Sequence, residues 1–441
     1  MNVLLVSLGC DKNLVDSEYM IGELTEQGYT VTDDENEADV IVINSCCFIG
    51  DAKEESIETI LSMARLKETG RLKALVVAGC LAQRYQDEIL RELPEVDALV
   101  GTGACASIAE AVECALKGKR YQNFGPPGDW QKLREKKRLV TTGGHYAYLK
   151  IAEGCDKRCS YCVIPFIRGS YRSVPIGELV ARAQELAAQG VKELILVAQE
   201  TTLYGRDLYG EKSLGRLLDE LNKIDGIYWI RLLYCYPEEI DEAFIDAMSR
   251  NDKIVHYVDM PIQHSNDDIL RRMGRRTNAA ELADKIDLLR EKIPDICLRT
   301  TLISGFPGET RQAHEELLEF LNWAEFDRLG VFPYSPEEGT PAAEFDGQLD
   351  EETKLARRDE IMELQQEIAC DRNEAMVGRE LYAFVEGKVA DEDAYVARTY
   401  RDAPNVDGYL FIHTGEELMS GDFVKVRVVR ALEYDLIGEI I

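Results

Sequence analysis

Three cysteines of the segment Cys155-Asp-Lys-Arg-Cys159-Ser-Tyr-Cys162 lie close enough in one loop to turn their thiolates toward a single point. A four-iron cluster normally takes one thiolate per iron, so three cysteines would leave one iron open to bind a reacting molecule. The alternatives are a structural zinc site or a loop of ordinary buried cysteines. Zinc usually needs a closed set of four ligands, and the nearest other candidates, His145 and Cys235, lie in separate predicted elements. The loop therefore favours an iron-sulfur cluster with an open iron.

A second group of cysteines, Cys10, Cys46 and Cys80, follows three short apolar runs near the start of the chain, and a helix-like segment follows each cysteine. Apolar runs that alternate with helical segments predict a parallel sheet covered on both faces. The carboxyl ends of such strands meet at one edge, so cysteines 36 and 34 residues apart could form a second three-cysteine site. Alternatively, each is a small buried residue at the end of a strand.

Cys47 makes the choice of ligand at the second strand ambiguous, because neighbouring side chains of an extended segment point in different directions. We expect Cys46 to be the ligand, since it stands at the same strand-to-turn position as Cys10 and Cys80. We expect the remaining cysteines to pack in the interior; they are Cys47, Cys105, Cys114, Cys235, Cys297 and Cys370.

Length and charge limit the class of protein. A chain of 441 residues predicts roughly two to four domains, and no apolar run approaches the about 20 residues of a membrane-spanning helix. Twelve cysteines without a secretory signal favour a reducing compartment, so we expect a cytoplasmic protein with no membrane contact. The 51 basic and 81 acidic residues give a net charge of −30. This charge opposes nucleic acid as the primary substrate and favours a basic protein partner; the alternative is that the acidic surface only keeps the protein soluble.

The chain divides into sections with different patterns, which together predict an α/β protein. Residues 1–117 predict a doubly wound parallel-sheet domain, and a linker over 118–140 contains Gly125-Pro-Pro-Gly128. Residues 141–371 predict a partial (β/α)6 barrel whose first strand precedes the cysteine loop, and residues 374–441 predict a small all-β barrel of about five strands. The six strands of the partial barrel are expected at 146–151, 194–198, 228–233, 255–260, 297–303 and 330–332.

Two turns at the ends of predicted barrel strands carry polar or glycine residues. Gly305-Phe-Pro-Gly308-Glu309 follows the fifth strand, where glycines allow close backbone approach and the amides that open the next helix can meet a carboxylate or a ribose. A plain loop before a helix has the same composition. Gln199 and Glu200 end the second strand, where a solvated polar turn is the alternative. His264 could contact the substrate or bond a backbone carbonyl, and we favour the structural role because the sequence indicates no partner for a lone histidine.

The cysteine loop from Cys155 to Cys162, with the aromatic Tyr161 before its last cysteine, resembles the signature of radical S-adenosylmethionine enzymes. In that family the open iron chelates the amino and carboxylate groups of S-adenosylmethionine. One electron from the reduced cluster then breaks a carbon-sulfur bond to give an adenosyl radical. The cofactor performs this step, and the protein positions it and excludes water.

The same resemblance suggests which residues contact S-adenosylmethionine. The turn with Gly305, Gly308 and Glu309 resembles the nucleotide-contacting turn of radical enzymes. Gln199 and Glu200 occupy the position at which family members hold the methionine amine, although the frequent form there is Gly-Gly-Glu. The resemblance implies no catalytic residue beyond the cluster ligands.

The layout of the whole chain resembles the radical S-adenosylmethionine methylthiotransferases, which carry an amino-terminal three-cysteine domain, a radical core and a carboxyl-terminal barrel similar to the TRAM domain. The resemblance implies two 4Fe-4S clusters: an auxiliary cluster on Cys10, Cys46 and Cys80 that carries or donates sulfur, and a radical-generating cluster on the loop cysteines. One cofactor molecule would supply the methyl group, and another the radical that removes hydrogen from an unactivated carbon, which the sulfur then joins. An electron donor such as flavodoxin or ferredoxin is also implied.

Two branches of this family differ in substrate. The opening segment from Ser7 to Glu18 resembles the branch that modifies the β-carbon of an aspartate in small-subunit ribosomal protein S-twelve; the alternative is an adenosine derivative in transfer RNA. Residues Glu374 to Ile441 hold seven Lys and Arg against fourteen Asp and Glu, a net charge of −7. An acidic barrel repels phosphates and attracts a basic protein, so we favour the aspartate. A two-cluster electron carrier and a ribosome-associated binding protein with structural clusters remain alternatives from other functional classes.

Overall fold

The protein is described by a computed structural model that covers residues 1–127, 129–390 and 392–441. Gly128, which belongs to the glycine-proline motif of the predicted linker, and Asp391, in the predicted carboxyl-terminal barrel, lie outside the described residues. The chain forms two compact units. The first unit consists of Met1–Thr141, Ala152–Arg172 and Ser335–Ala343, and the second consists of Thr142–Ile151, Ser173–Tyr334 and Glu344–Ile441.

A parallel sheet of six strands forms the centre of the first unit. Its strands are β1 (Asn2–Ser7), β2 (Thr30–Val31), β3 (Val40–Ser45), β4 (Ala74–Gly79), β5 (Ala98–Gly101) and β6 (Tyr121–Asn123). The strand order β2-β1-β3-β4-β5-β6 is that of a doubly wound sheet, which confirms the predicted fold. Strands β3 and β4 are entirely buried, as expected for strands covered on both faces.

Helices cover both faces of this sheet. They are α1 (Asp11–Glu26), α2 (Gly50–Ala64), α3 (Leu66–Thr69), α4 (Cys80–Tyr85), α5 (Asp87–Glu92), α6 (Ile108–Leu116) and α7 (Gln131–Arg134). Apolar side chains of α2, α4 and α5 form one buried cluster with β3 and β4, and α1 packs against α6 and α7.

The basic run of the predicted linker is folded onto α1. Nε and Nη2 of Arg138 donate to one carboxylate oxygen of Glu18 at 2.8 and 2.6 Å, and the Thr141 amide donates to the other at 2.7 Å. Lys136 pairs with Glu23 at 2.9 Å. This segment therefore belongs to the first compact unit, while the predicted linear domain limits stay a prediction.

A second parallel sheet lies in the second unit. Between Tyr146 and Glu374 the chain forms β7 (Tyr146–Lys150), β8 (Ala152–Glu153), α8 (Ile164–Arg168), β9 (Arg172–Ser173), α9 (Ile176–Ala188), β10 (Glu193–Val197), α10 (Arg206–Tyr209), α11 (Leu214–Leu221), β11 (Trp229–Leu232), α12 (Glu242–Arg250), β12 (Ile254–Asp259), α13 (Asp267–Arg272), α14 (Ala279–Lys292), β13 (Cys297–Ser304), α15 (Arg311–Ala324), β14 (Arg328–Pro333) and α16 (Glu351–Glu374). Of these elements, β8 and α8 belong to the first unit. The sheet order is β14-β13-β12-β11-β10-β7 with open edges. The six predicted strands and the partial barrel are confirmed.

The carboxyl-terminal section closes into a β-barrel, as predicted. Its strands are β15 (Glu380–Lys388), β16 (Ala394–Thr399), β17 (Leu410–His413), β18 (Phe423–Ala431) and β19 (Leu436–Ile440), in the order β15-β16-β17-β19-β18. Its interior is a cluster of buried aliphatic side chains that includes Val385, Ile412 and Val426. No helix in the described parts of the chain has the length and apolar character needed to cross a membrane.

A buried carboxylate connects the parallel sheet of the second unit to this barrel. Glu193 of β10 accepts from Arg231 of β11 and Arg398 of β16, both at 2.8 Å. Arg398 also bonds Glu386 at 2.6 Å, and Arg231 donates to the Tyr400 carbonyl at 2.7 Å. Burial raises the pKa of Glu193, but the charges of Arg398 and Arg231 outweigh burial and hold that pKa below its ordinary value.

We predict that Glu193→Gln lowers the free energy of unfolding by about 3–5 kcal/mol, because it leaves two buried guanidinium groups without their shared carboxylate. Since the pKa is lowered in the folded protein, the stabilisation is present above the ordinary value of 4.5 and is lost as the pH falls through the lowered value. The variant should therefore lose part of the acid dependence of stability. Urea denaturation at a series of pH values measures both effects.

Glu380→Gln is the matched control. Glu380 pairs with Lys425 and Arg427 at 2.8 Å on the surface of the barrel, and exposed ion pairs contribute little to stability. Its midpoint of denaturation should stay near that of the parent protein. Equal losses in the two variants would contradict the importance of the buried pairing.

Candidate functional site

The strand register of the first unit places one set of predicted ligands at a common edge. Ser7 of β1 is opposite Asn44 of β3, and Ser45 of β3 is opposite Gly79 of β4. The carboxyl ends of the three strands are therefore level. The cysteines that follow these ends are Cys10, Cys46 and Cys80.

The turn before Cys10 is built so that Cys46 can approach it. Gly9 has a φ of +83°, and a Cβ at this position would lie 2.7 Å from both Cβ and Sγ of Cys46. Any larger residue would strain the backbone and collide with the second cysteine. Cys10 itself is exposed and stands at the N-cap of α1.

The three thiols lie within electrostatic range of one another. Burial, together with smaller contributions from the charges on Cys80 and Cys10, raises the pKa of Cys46 to about 12. Burial also raises the pKa of Cys80, whereas the neighbouring Arg168 lowers it. Metal binding to Cys46 and Cys80 must therefore release protons.

Cys46 and Cys47 point to different environments. The Cys46 amide donates to Ser56 Oγ at 3.0 Å, and this hydroxyl donates back to the Cys46 carbonyl at 2.8 Å. Cys47 is fully buried in the apolar cluster of the first unit together with Ile43 and Leu81. Of these two cysteines, it is Cys46 that lies close to Gly9, in the turn before Cys10.

The other cysteines expected to pack are either buried, as are Cys105, Cys235 and Cys297, or half-buried, as are Cys114 and Cys370.

The second cysteine set occupies a loop between β8 and α8 that is closed at its base. Gly154 has a φ of +83°, and a Cβ there would lie 2.2 Å from the Ser170 carbonyl oxygen. The Cys155 amide donates to the Gly169 carbonyl at 3.1 Å. These contacts bring the two ends of the loop together, so its three cysteines share a short, constrained segment.

Within this loop the thiols also influence one another. The Cys162 amide donates to the Cys159 carbonyl at 3.0 Å and forms a turn. Burial raises the pKa of Cys162, and charges on Cys159 and Cys155 raise it further. The structure thus brings each predicted set of three cysteines together, and both sets lie in the first compact unit.

Three thiols in each set match the donor chemistry of an iron-sulfur cluster. In such a cluster each thiolate binds a different iron, so the sulfurs surround the cluster and do not converge on one ion. Among the described residues, no group of three or more His, Cys, Asp or Glu side chains is placed to hold a single metal ion. The glycine-permitted approach of Cys46 to the Cys10 turn and the closed second loop fit a cluster at each set.

A buried guanidinium contacts elements that belong to both sets. Arg168 ends α8, the helix that follows the cysteine loop, and its Nη1 donates to Asp16 at 2.6 Å and to Glu153 at 3.3 Å. Its Nη2 donates to Asn13 Oδ1 and to Cys80 Sγ, the latter at 3.5 Å. Arg168 and both carboxylates are buried.

Three of these polar residues were not identified from the sequence as part of the site. Asn13 and Asp16 follow Cys10 on α1, and the only sequence feature that points to them is their place in the opening motif from Ser7 to Glu18. No local sequence feature points to Arg168, since its partners come from three separate segments of the chain.

The predicted S-adenosylmethionine contacts after β10 form a turn that is bonded to itself. Glu200 is buried, and one of its carboxylate oxygens accepts from the Thr202 amide at 2.8 Å and from the Thr202 hydroxyl. The Tyr236 amide donates to that hydroxyl at 3.1 Å. Gln199 is half-buried beside it.

The glycines after β13 are required by close packing. A Cβ at Gly305 would lie 2.4 Å from Cγ of Lys354 on α16, and one at Gly308 would lie 3.0 Å from Nε of Arg272 on α13. Both positions therefore have a structural need for glycine.

The carboxylate of Glu309 is held inside the second unit. It accepts from the Phe306 amide at 3.1 Å and lies 3.0 Å from Arg357. Burial raises its pKa, but His314, His264 and Arg357 outweigh burial and hold the pKa below its ordinary value. This side chain supports the glycine turn from within.

His264 has a structural environment, although its bonds differ from those expected. Its Nδ1 accepts from the amides of Ser265 and Asn266 at 3.0 and 2.9 Å, so it contacts donors and not the expected backbone carbonyl. Burial lowers its pKa to about 4, which keeps the ring neutral at physiological pH.

Three family models match successive parts of the chain. Residues 2–101 match the uncharacterized protein family UPF0004, residues 149–321 match the radical SAM superfamily, and residues 377–441 match the TRAM domain. Solved structures with a similar fold include the radical S-adenosylmethionine methyltransferase TsrM from Kitasatospora setae, at a TM-score of 0.55 and 17% identity over 77% of this chain and 76% of TsrM. The cobalamin-dependent radical enzyme OxsB has a TM-score of 0.52 and 15% identity over 82% of this chain and 56% of OxsB.

Curated relatives match along the whole chain. The ribosomal protein uS12 methylthiotransferase RimO of Lachnoclostridium phytofermentans is 58% identical over 99% of this chain and 99% of its own length. Its counterpart in Acetivibrio thermocellus is 49% identical over 99% of this chain and 98% of its own length. The chain therefore belongs to the RimO family of methylthiotransferases, which are enzymes of the radical S-adenosylmethionine superfamily.

Proposed function

We propose that the protein binds two 4Fe-4S clusters and S-adenosylmethionine, and that it methylthiolates the β-carbon of an aspartate in ribosomal protein uS12. The names of the similar proteins support uS12 as substrate. The observation that carries the proposal is the grouping of six cysteines into two sets of three within one compact unit. Three thiolates per set leave one iron of each cluster available for chemistry.

The two sets are proposed to have different roles. When bound, the cluster on Cys155, Cys159 and Cys162 supplies an electron to S-adenosylmethionine, and the cluster on the other set supplies sulfur. The residues contribute by orientation and by burial: Gly154 closes the loop of one set, and Ser56 fixes the backbone of Cys46 in the other.

The turns after β10 and β13 are proposed to bind S-adenosylmethionine. Gln199 and Glu200 would hold the methionine amine, and the turn with Gly305 and Gly308 would approach the nucleotide through its backbone. Glu309 would act by supporting that turn, since its carboxylate bonds the Phe306 amide. A one-electron donor such as flavodoxin or ferredoxin would reduce the protein.

Charge supports a basic protein substrate over a nucleic acid. The chain carries a net charge of −30, and its carboxyl-terminal barrel is acidic as well. Ribosomal proteins bind phosphate-rich RNA and are basic for that reason, so an acidic enzyme attracts them, whereas it repels transfer RNA.

Anaerobic reconstitution followed by separate reactions with uS12 and with transfer RNA tests the proposal. We expect mass analysis of the uS12 product to locate one methylthio group in place of hydrogen on an aspartate, and the RNA to stay unmodified. Modified adenosine together with unmodified uS12 would overturn the substrate assignment.

We predict that Cys46→Ala retains reductive cleavage of S-adenosylmethionine but stops sulfur insertion, because only the sulfur-supplying set loses a ligand. Cys47→Ala is the matched control, since Cys47 is buried in the apolar cluster, and it should insert sulfur like the parent protein. Product formation and cofactor cleavage are measured in the same anaerobic reaction. Sulfur insertion by the Cys46 variant and not by the Cys47 variant would reverse the ligand choice.

We predict that Cys159→Ala abolishes cleavage of S-adenosylmethionine, because the open iron of that cluster is lost with its ligand set. Iron bound at the other set should remain, so iron analysis should fall by about half. Retained cleavage of the cofactor would contradict the role of this loop.

A further inference from the structure

Arg168 is the point at which the elements that carry the two cysteine sets meet. It ends the helix that follows Cys162, and it bonds Glu153, which stands two residues before Cys155. It also bonds Asp16 on the helix that begins after Cys10, and Cys80 itself. All of these contacts lie within the first compact unit.

We propose that Arg168 is a positioning residue for the sulfur-supplying cluster: its guanidinium donates a hydrogen bond to the Cys80 sulfur and raises the reduction potential of that cluster. This inference rests on the proposed function, since it requires a cluster at Cys10, Cys46 and Cys80. Hydrogen bonds to cluster sulfurs and local charge are principal determinants of cluster potential. A cation stabilises the reduced form more than the oxidised form, because the reduced form carries one more negative charge.

The geometry requires a guanidinium. Two nitrogens of Arg168 serve acceptors on three elements at once: Asp16 and Asn13 on α1, Glu153 on β8 and Cys80 on α4. The planar fork of arginine can do this, whereas the single ammonium of lysine cannot reach every acceptor in the same arrangement. The pairing with two buried carboxylates keeps the cation in place beside the sulfur.

The inference is tested on full-length protein in which Cys155, Cys159 and Cys162 are replaced by Ala, so that spectra report only the sulfur-supplying cluster. Potentiometric titration followed by electron paramagnetic resonance measures its potential. We expect Arg168→Met to lower this potential and to change the resonance of the reduced cluster. Arg168→Lys retains the charge, and we expect its potential to lie between the two.

Arg138→Met is the matched control for a purely structural effect. Arg138 makes a buried ion pair with Glu18 on the same helix α1, and its Nε and Nη2 both donate to that carboxylate and not to a thiol. We expect this variant to lose stability and to keep the parent potential.

A parent potential in an Arg168→Met protein that retains its iron would overturn the inference and leave the proposed function intact. If the Met variant loses its iron, the Lys variant decides, and a parent potential there would also overturn the inference. If protein with native Arg168 binds no cluster at Cys10, Cys46 and Cys80, that result would instead overturn the proposed function.

Discussion

The level register of the parallel strands β1, β3 and β4 is the constraint on which the grouping of Cys10, Cys46 and Cys80 depends. Cysteines that are 36 and 34 residues apart reach one edge only because β1, β3 and β4 end together. A shift of one residue in this register would turn the side chains to the other face of the sheet. Strands β3 and β4 are buried at every position, so the packing of the sheet core and the geometry of the site depend on the same register.

Buried charge is the second organising feature, and it appears where separate segments must be joined. Arg138 bonds Glu18 in the first unit, and Arg231 and Arg398 share Glu193 in the second. Such groups are tolerated in the interior only when they are paired. Each pairing therefore specifies which segments pack together, and Arg168 does the same beside a cysteine.

Prediction from sequence succeeded where a local pattern sufficed. Apolar runs located the barrel strands, and the short spacing from Cys155 to Cys162 defined one cysteine set. It was less informative where tertiary contacts set the role of a residue. The Glu309 carboxylate lies in a buried network, and the basic run of the predicted linker is bonded to α1; neither contact follows from a local sequence pattern.

The sequence by itself determined the order of the elements, the two groups of cysteines and the acidic character of the chain, because these depend on residue type and near-neighbour spacing. Only the tertiary structure decided that Cys46 lies against Gly9, the residue before Cys10, and that Arg168 contacts Cys80. The physical reason is that such contacts join residues distant in the chain, and their geometry follows from strand register and helix packing, which no local pattern encodes.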